Sequence, residues 1–167
     1  EINETLKENK LDIQFNIDET EKFFVKKINI FGNNITRENV IRNQLAIDEG
    51  DPYNEILRLK SENNLKSMNF FKTVSSEVLD GEDFNTKIIN ITVEEKPTGE
   101  ISAGAGFGTR GSTFTFGVKE NNYLGKGLNV NASATISPED FKGLLSISNP
   151  NYNNSDKSVY GSIQALE

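Results

Sequence analysis

The 167-residue sequence contains no cysteine and no histidine. Without cysteine there are no disulfides and no thiolate metal sites, although the redox compartment stays open. Without histidine the commonest general base and the commonest metal ligand are both missing, which leaves carboxylates, lysines and tyrosines for any chemistry. The residues also offer no convergent acid pair, so the sequence reads as a non-enzyme, with no catalytic, metal or cofactor site. Basic residues are scarce as well. Lys and Arg number 18 against 25 Asp and Glu, giving a net charge of −7 and arguing against a nucleic-acid partner.

No run approaches the roughly 18 to 20 apolar residues of a membrane-spanning helix, and no signal peptide opens the sequence. A membrane β-barrel would leave no such hydropathy peak. The sequence starts at Glu1 rather than Met, so we expect it to begin inside a larger protein.

The charge is unevenly shared. Residues 1–96 hold 19 acids and 13 bases, whereas residues 97–167 hold only 6 and 5. Between the two regions lies Val93 to Gly108, VEEKPTGEISAGAGFG. Pro97 cannot donate to a sheet ladder and pushes Lys96 toward an extended backbone, so the pair reads as a stiff elbow.

In chain order, Glu1 to Lys10 is polar and reads as a loop. Leu11, Ile13, Phe15 and Ile17 alternate with polar residues as a half-buried strand with no earlier partner. We therefore expect residues 1–21 to be the end of a preceding domain and its linker. Phe23 to Phe31 is a strand with core candidates Phe23, Val25, Ile28 and Ile30 and an irregularity at Lys26-Lys27. Thr36 is a candidate N-cap, with Ile35 and Val40 at staple spacing, for a helix from about Arg37 to Leu45 that buries Val40, Ile41 and Leu45.

Asp48-Glu49-Gly50-Asp51-Pro52 breaks the chain before a second helix, Asn54 to Met68, which is closed by Asn69 in a left-handed cap and buries Leu57, Leu65 and Met68. Phe70 and Phe71 read as core. A hairpin follows: Val74 to Leu79, a turn at Asp80 to Asp83, and Lys87 to Glu94. The order β-α-α-β-β over residues 22–96 predicts a small two-layer α+β domain.

From Pro97 to Glu167, five strand-like segments of roughly eight or nine residues follow with no helix between them, an antiparallel meander. Ile101, Ala103, Ala105 and Phe107 fall on one face of the first, with Ser102, Gly104, Gly106 and Gly108 on the other. Phe114, Phe116 and Val118 alternate in the second segment, and Val130, Ala132, Ala134 and Ile136 in the third. Phe141, Leu145 and Ile147 share a face with Gly143, and Val159 and Ile163 share one with Gly161. The polar faces are Ser, Gly, Thr and Asn, suited to a barrel interior, and the apolar faces have no visible partner sheet, which suits lipid. A soluble sandwich or interaction module is the competing reading.

Three other signals point to nothing further. Gly104-Ala105-Gly106-Phe107-Gly108 superficially resembles a nucleotide-binding loop, but the spacing fails at Thr109 and no helix follows. Asp48, Glu49 and Asp51 lack the ligand spacing of a calcium loop and read as a turn. Arg110-Gly111 belongs to the first hairpin of the meander. Tyr123, beside a turn, suits either a membrane girdle or a partial core.

Five motifs in order carry a family resemblance: NIDETEKFFVKKINIFGN (Asn16 to Asn33), LAIDEGDPYN (Leu45 to Asn54), LKSMNFFKTV (Leu65 to Val74), NNYLGKG (Asn121 to Gly127) and SNPNY (Ser148 to Tyr152). Together they resemble the junction between the last POTRA domain and the barrel in Omp85-family proteins, with Asn69 where the family commonly has glycine. The resemblance implies a POTRA domain followed by the first five strands of a transmembrane β-barrel (97–167), in the outer membrane of a Gram-negative bacterium with the POTRA domain in the periplasm. It implies assembly and insertion of β-barrel proteins, with unfolded outer-membrane proteins, accessory lipoprotein subunits and outer-membrane lipid as partners. Two-partner secretion and organellar Omp85 translocases share the architecture.

Within that resemblance, Thr73, Val74, Ser75, Ser76, Glu77, Val78 and Leu79 form the candidate edge for an added client or partner strand. Ile101, Ser102, Ala103, Gly104, Ala105, Gly106, Phe107 and Gly108 form a weak lateral seam, because glycine weakens a strand and loosens its register. Pro97 and Gly99 form the hinge between the domains.

Overall fold

The computed structural model describes residues 2–7, 10–15, 21–108, 111–155 and 157–167. Asn16, Ile17, Asp18, Glu19, Thr109 and Arg110, named above, lie outside the described residues. The chain opens with a hairpin rather than a loop: β1 (Ile2–Lys7) pairs antiparallel with β2 (Lys10–Phe15), in register from Ile2 opposite Phe15 to Lys7 opposite Lys10. The strand containing Leu11 and Ile13 thus has an earlier partner, contrary to expectation. Composition hid β1, since Glu4 falls between Ile2 and Leu6 on what would be the apolar face.

The next unit is β3 (Phe24–Phe31), α1 (Glu38–Arg42), α2 (Glu55–Ser67), β4 (Phe71–Asp80) and β5 (Thr86–Glu95). Its sheet order is β3-β5-β4, with β5 central, parallel to β3 and antiparallel to β4. The irregularity at Lys26-Lys27 is a register shift between Val25 and Lys27. It places Val25 and Ile28, both 1% exposed, on the helix side of the sheet beside Ile89, Ile91 and Val93. From the helices come Ile41 and Leu65, both fully buried. Phe70 and Phe71 are core, their rings edge-to-face at 6.3 Å.

Two helix details differ from expectation. α1 is shorter, and its N-cap is Arg37, which makes no side-chain cap. Thr36 is buried and turned elsewhere, and Ile35 is 68% exposed rather than closed over Val40 as a staple. α2 follows the expectation closely: the Asn54 side chain accepts from the N–H groups of Ile56 and Leu57, and Asn69 adopts φ +62° just beyond the C-cap Met68. Sequence reasoning missed Ser61, which sits on the buried face between Leu57 and Leu65. Its hydroxyl donates to Leu57 O and accepts from Ala46 N–H, both at 2.8 Å, which satisfies a polar group that would otherwise be costly to bury.

Beyond the elbow, β6 (Gly99–Gly108), β7 (Gly111–Tyr123), β8 (Leu128–Ile136), β9 (Phe141–Asn149) and β10 (Val159–Leu166) form one antiparallel sheet in the order β10-β9-β8-β7-β6. Register assigns the faces. Ala103 opposes Phe116, Phe116 opposes Ala134, Ala132 opposes Leu145 and Leu145 opposes Ile163, so the apolar positions of all five strands share one side. That side is open: Phe116 and Val118 are each 54% exposed, and no second sheet among the described residues covers them. No described helix is long and apolar enough to cross a membrane, which says nothing of strands.

Candidate functional site

The functional candidates are the junction between the two sheets and the strands whose edges are free. β5 ends at Glu95 and β6 begins at Gly99, so Lys96, Pro97 and Thr98 alone join them. Lys96 N–H donates to Phe70 O at 3.0 Å, tying the elbow to the start of β4. The Glu95 carboxylate accepts the backbone N–H groups of Asn34 (2.8 Å), Ile35 (2.8 Å) and Thr36 (2.6 Å). Burial pushes the Glu95 pKa upward, but hydrogen bonds from Thr36, Ile35 and Asn34 outweigh it and hold the group below the usual carboxylate value. The last residue of the sheet therefore fixes the loop that precedes α1.

That loop in turn receives the β7–β8 turn. Asn122 Nδ2 donates to Thr36 Oγ1 at 2.8 Å, and its Oδ1 accepts from Gly127 N–H at 2.8 Å. Arg37 N–H donates to Gly125 O at 2.9 Å. Gly125 has φ +68°, and a Cβ there would lie 1.9 Å from Ile35 O, so only glycine permits this approach. On the other side of the elbow, Asn121 donates to Thr98 O through both its N–H and its Nδ2, while the Thr98 hydroxyl donates to Glu120.

The NNYLGKG segment is thus a strut between the two units, and Thr36 serves that strut instead of capping α1. Sequence reading could not find the pairing, because the two residues are 86 apart. Asn122→Ala is expected to cost about 1–2 kcal/mol locally, since two buried partners lose their bonds. Faster amide exchange at Arg37 and Gly127 would register it; unchanged exchange at both would mean that this side chain does not hold the turn.

β6 stands at one end of the five-stranded sheet, paired with β7 and with no second strand partner among the described residues. All ten of its residues are exposed. A Cβ added at Gly104, Gly106 or Gly108 would meet nothing within 4 Å, so these glycines are not required by close packing. Their cross-strand partners, Thr115, Thr113 and Gly111, therefore have no side chain to pair with. The residues of the glycine-loop motif lie in this extended strand.

The three-stranded sheet has two edges, and they are treated differently. On β3, Val25 N–H donates to Asp51 O (2.9 Å), Val25 O accepts from Gly50 (2.7 Å), and Phe23 O accepts from Tyr53 (2.7 Å). Ile28 N–H is taken by Glu49 Oε1 and Ile28 O by Arg42 Nη2, each at 2.9 Å. The acidic segment 48–53 is therefore a cover for the β3 edge.

β4 has no such cover: among the described residues its main chain is bonded into the sheet by β5 alone. Of the candidate edge residues, Val74 is buried and Ser76 is half-buried, its hydroxyl donating to Glu62 of α2 at 2.7 Å. Thr73, Ser75, Glu77 and Leu79 are exposed on the opposite face. No cluster of potential metal ligands occurs among the described residues.

Comparison with known proteins agrees with this architecture. Residues 23–96 match the POTRA family, described as surface antigen variable number repeat. The chain is similar to two proteins named outer membrane protein assembly factor BamA. One, from Neorickettsia risticii, is 31% identical over 119 residues, covering 70% of this chain and 16% of that protein. The other, from Buchnera aphidicola, is 31% identical over 156 residues, covering 90% and 25%. The chain thus spans a quarter or less of these relatives. The fold matches a crystal structure of BamA from Haemophilus ducreyi lacking POTRA domains 1-3, with TM-score 0.82 and 22% identity over 99% of this chain and 32% of that one. Residues 23–96 are thus matched as a POTRA domain, and joined by three residues to an open antiparallel meander they have the order of parts found in that BamA structure, the arrangement that the sequence resembles in the Omp85 family.

Proposed function

We propose that this chain is the part of an outer-membrane β-barrel assembly factor in which a periplasmic receptor domain is joined to the first barrel strand. The observation that carries the reading is the contrast between the two edges of the three-stranded sheet: β3 is covered by segment 48–53, whereas β4 has no strand or segment bonded beyond it among the described residues. Unpaired strand edges bind extended segments by main-chain hydrogen bonds without requiring a particular sequence. Unfolded outer-membrane proteins supply such segments, and an accessory lipoprotein subunit could use the same edge.

In this reading Thr73–Leu79 accepts the incoming strand, Pro97 and Gly99 set the angle of the domain to the barrel, and Ile101–Gly108 is the lateral seam through which client strands pass into lipid. No bond chemistry is involved, and no cofactor is needed. The exposed apolar side of β2, with Phe15 at 65%, suits a piece of a neighbouring domain, since an isolated two-stranded hairpin is marginal in water.

Two measurements test the reading. Reconstituted in liposomes, the full-length protein is expected to accelerate the folding of an unfolded β-barrel client over empty liposomes; equal rates would defeat the proposal. In a photocrosslinking scan, Thr73, Ser75, Glu77 and Leu79 are expected to capture a client or accessory subunit, while equivalent positions on β3 do not. An absence of adducts along β4 would make its edge merely solvated.

A further inference from the structure

Three large apolar side chains lie exposed together at the junction, and neither core explains them. Ile35 is 68% exposed, Leu124 64% and Tyr123 44%. They line one cleft with Pro97, Gly99 and Glu120. Ile35 belongs to the POTRA loop whose N–H groups Glu95 holds, and Leu124 belongs to the turn that docks on that loop. Leu124 sits at φ +55°, a conformation unfavourable for a bulky residue, so the turn keeps a large apolar side chain there at a local cost.

The register fixes which side of the sheet this cluster is on. Tyr123 opposes Leu128, which shares a face with Val130, and Val130 opposes Ile147. Glu120 opposes Gly99, on the face of Ile101 and Val118. Tyr123 therefore continues the apolar side of the meander past its periplasmic end, away from the Lys119 side, and Leu124 and Ile35 line the same cleft beside it. β7 has 13 residues, longer than the about 9–11 that a tilted membrane strand needs, which puts Tyr123 and Leu124 at the membrane boundary. Aromatic and aliphatic side chains there partition into the headgroup region.

We propose that Ile35, Tyr123 and Leu124 form an interfacial anchor, through which the POTRA domain itself dips one side chain into the periplasmic leaflet of the bilayer beside the first barrel strands. The occupant is lipid, because the patch is continuous with the apolar band and the charged groups lining the same cleft are all engaged: Glu120 by Thr98 and Asn122, Glu95 by the N–H groups of residues 34–36, and Lys96 by Asn69 Oδ1, at a level where a lysine suits lipid headgroups. The proposal rests on the barrel reading. It goes beyond that reading in making a soluble-type domain a membrane contact, so that its angle depends on the leaflet as well as on the elbow. The strut from Asn122 to Thr36 keeps the two halves of the anchor level.

The test is spin labelling of the full-length protein in lipid nanodiscs, on a background cleared of other cysteines; this chain contributes none. Single labels are placed at Ile35, at Leu124, at Phe116 in the band, and at Phe84, which is 83% exposed in the β4–β5 turn. Collision with oxygen relative to a water-soluble nickel chelate reads depth. The expected result is oxygen-dominated collision at Phe116, a smaller shift in the same direction at Ile35 and Leu124, and nickel-dominated collision at Phe84. Nickel-dominated collision at Ile35 with Phe116 still in lipid would overturn the anchor and leave the barrel reading intact. Protection of Ile35 from both reagents would also overturn it, by showing protein over the patch. Nickel-dominated collision at Phe116 would defeat the barrel reading and the anchor with it.

Discussion

Gly104→Val combined with Gly106→Val is expected to slow client insertion by a factor on the order of 30. Both positions project from β6 on the face opposite the apolar one, toward Thr115 and Thr113 on β7. Open space for a Cβ at each site means that valine enters without displacing backbone. Replacing glycine by a β-branched residue in a strand recovers backbone entropy and adds a cross-strand pair, together about 1 kcal/mol per site. Two sites give about 2 kcal/mol, and 1.4 kcal/mol is a factor of ten in an equilibrium. A β6 that must loosen from β7 or shift register on it to admit a client strand would do so correspondingly less often. POTRA-edge crosslinking should be unaffected, since β4 lies in a different sheet. Normal insertion kinetics in the double variant would remove the argument that glycine keeps this strand weak.

Glu95→Ala should loosen the junction by about 3 kcal/mol, the largest loss we expect from any single polar side chain here. Three N–H groups converge on this carboxylate, and hydrogen bonds to an ionised acceptor are worth more than neutral ones. Of the three donors, Thr36 is only 3% exposed, so its N–H would be left without water as a substitute. Glu95→Gln keeps one acceptor oxygen and should lose about half as much. Amide exchange at Asn34, Ile35 and Thr36 measures both.

Acid gives an independent check. The folded pKa of Glu95 is depressed, so its contribution is complete above the ordinary carboxylate value of about 4.3 and disappears as pH falls through the lower folded value. Protection of residues 34–36 should fall in that window in the native protein and stay flat in Glu95→Ala. A flat profile in the native protein would mean that the charge contributes nothing.

Much of the architecture was legible because the residues concerned answer to local rules. Val25, Ile28, Ile89, Ile91 and Val93 alternate or skip in a pattern that only a one-sided sheet explains, and the Lys26-Lys27 irregularity was visible as a break in that alternation. Asn54 and Asn69 bracket α2 through bonds and dihedrals that span three residues or fewer. The apolar sides of β6 to β10 follow from period two, and their pairing follows from the absence of any α-helix between them; contrary to the expectation of no helix at all, a single 3-10 turn, Tyr152–Asn154, stands between β9 and β10. The errors lie where a residue's partner is distant. Thr36 has the chemistry of an N-cap and was read as one, but an asparagine 86 residues later takes its hydroxyl. Glu49 and Asp51 looked like a plain turn because their work, covering the β3 edge, depends on a strand folded back beside them.

By itself, then, the amino-acid order determined the strands from β2 onward, the second helix and the two compositions on either side of Pro97, since propensity, periodicity and capping act over a few residues. Only the tertiary structure decided which edge of the three-stranded sheet is covered, that the β7–β8 turn braces the POTRA loop, and that Ile35 joins Tyr123 and Leu124 at one surface. Those features depend on through-space approach between segments far apart in the chain, governed by the positive φ of Gly125 and the reach of Asn122 and Glu95, and no local pattern records it.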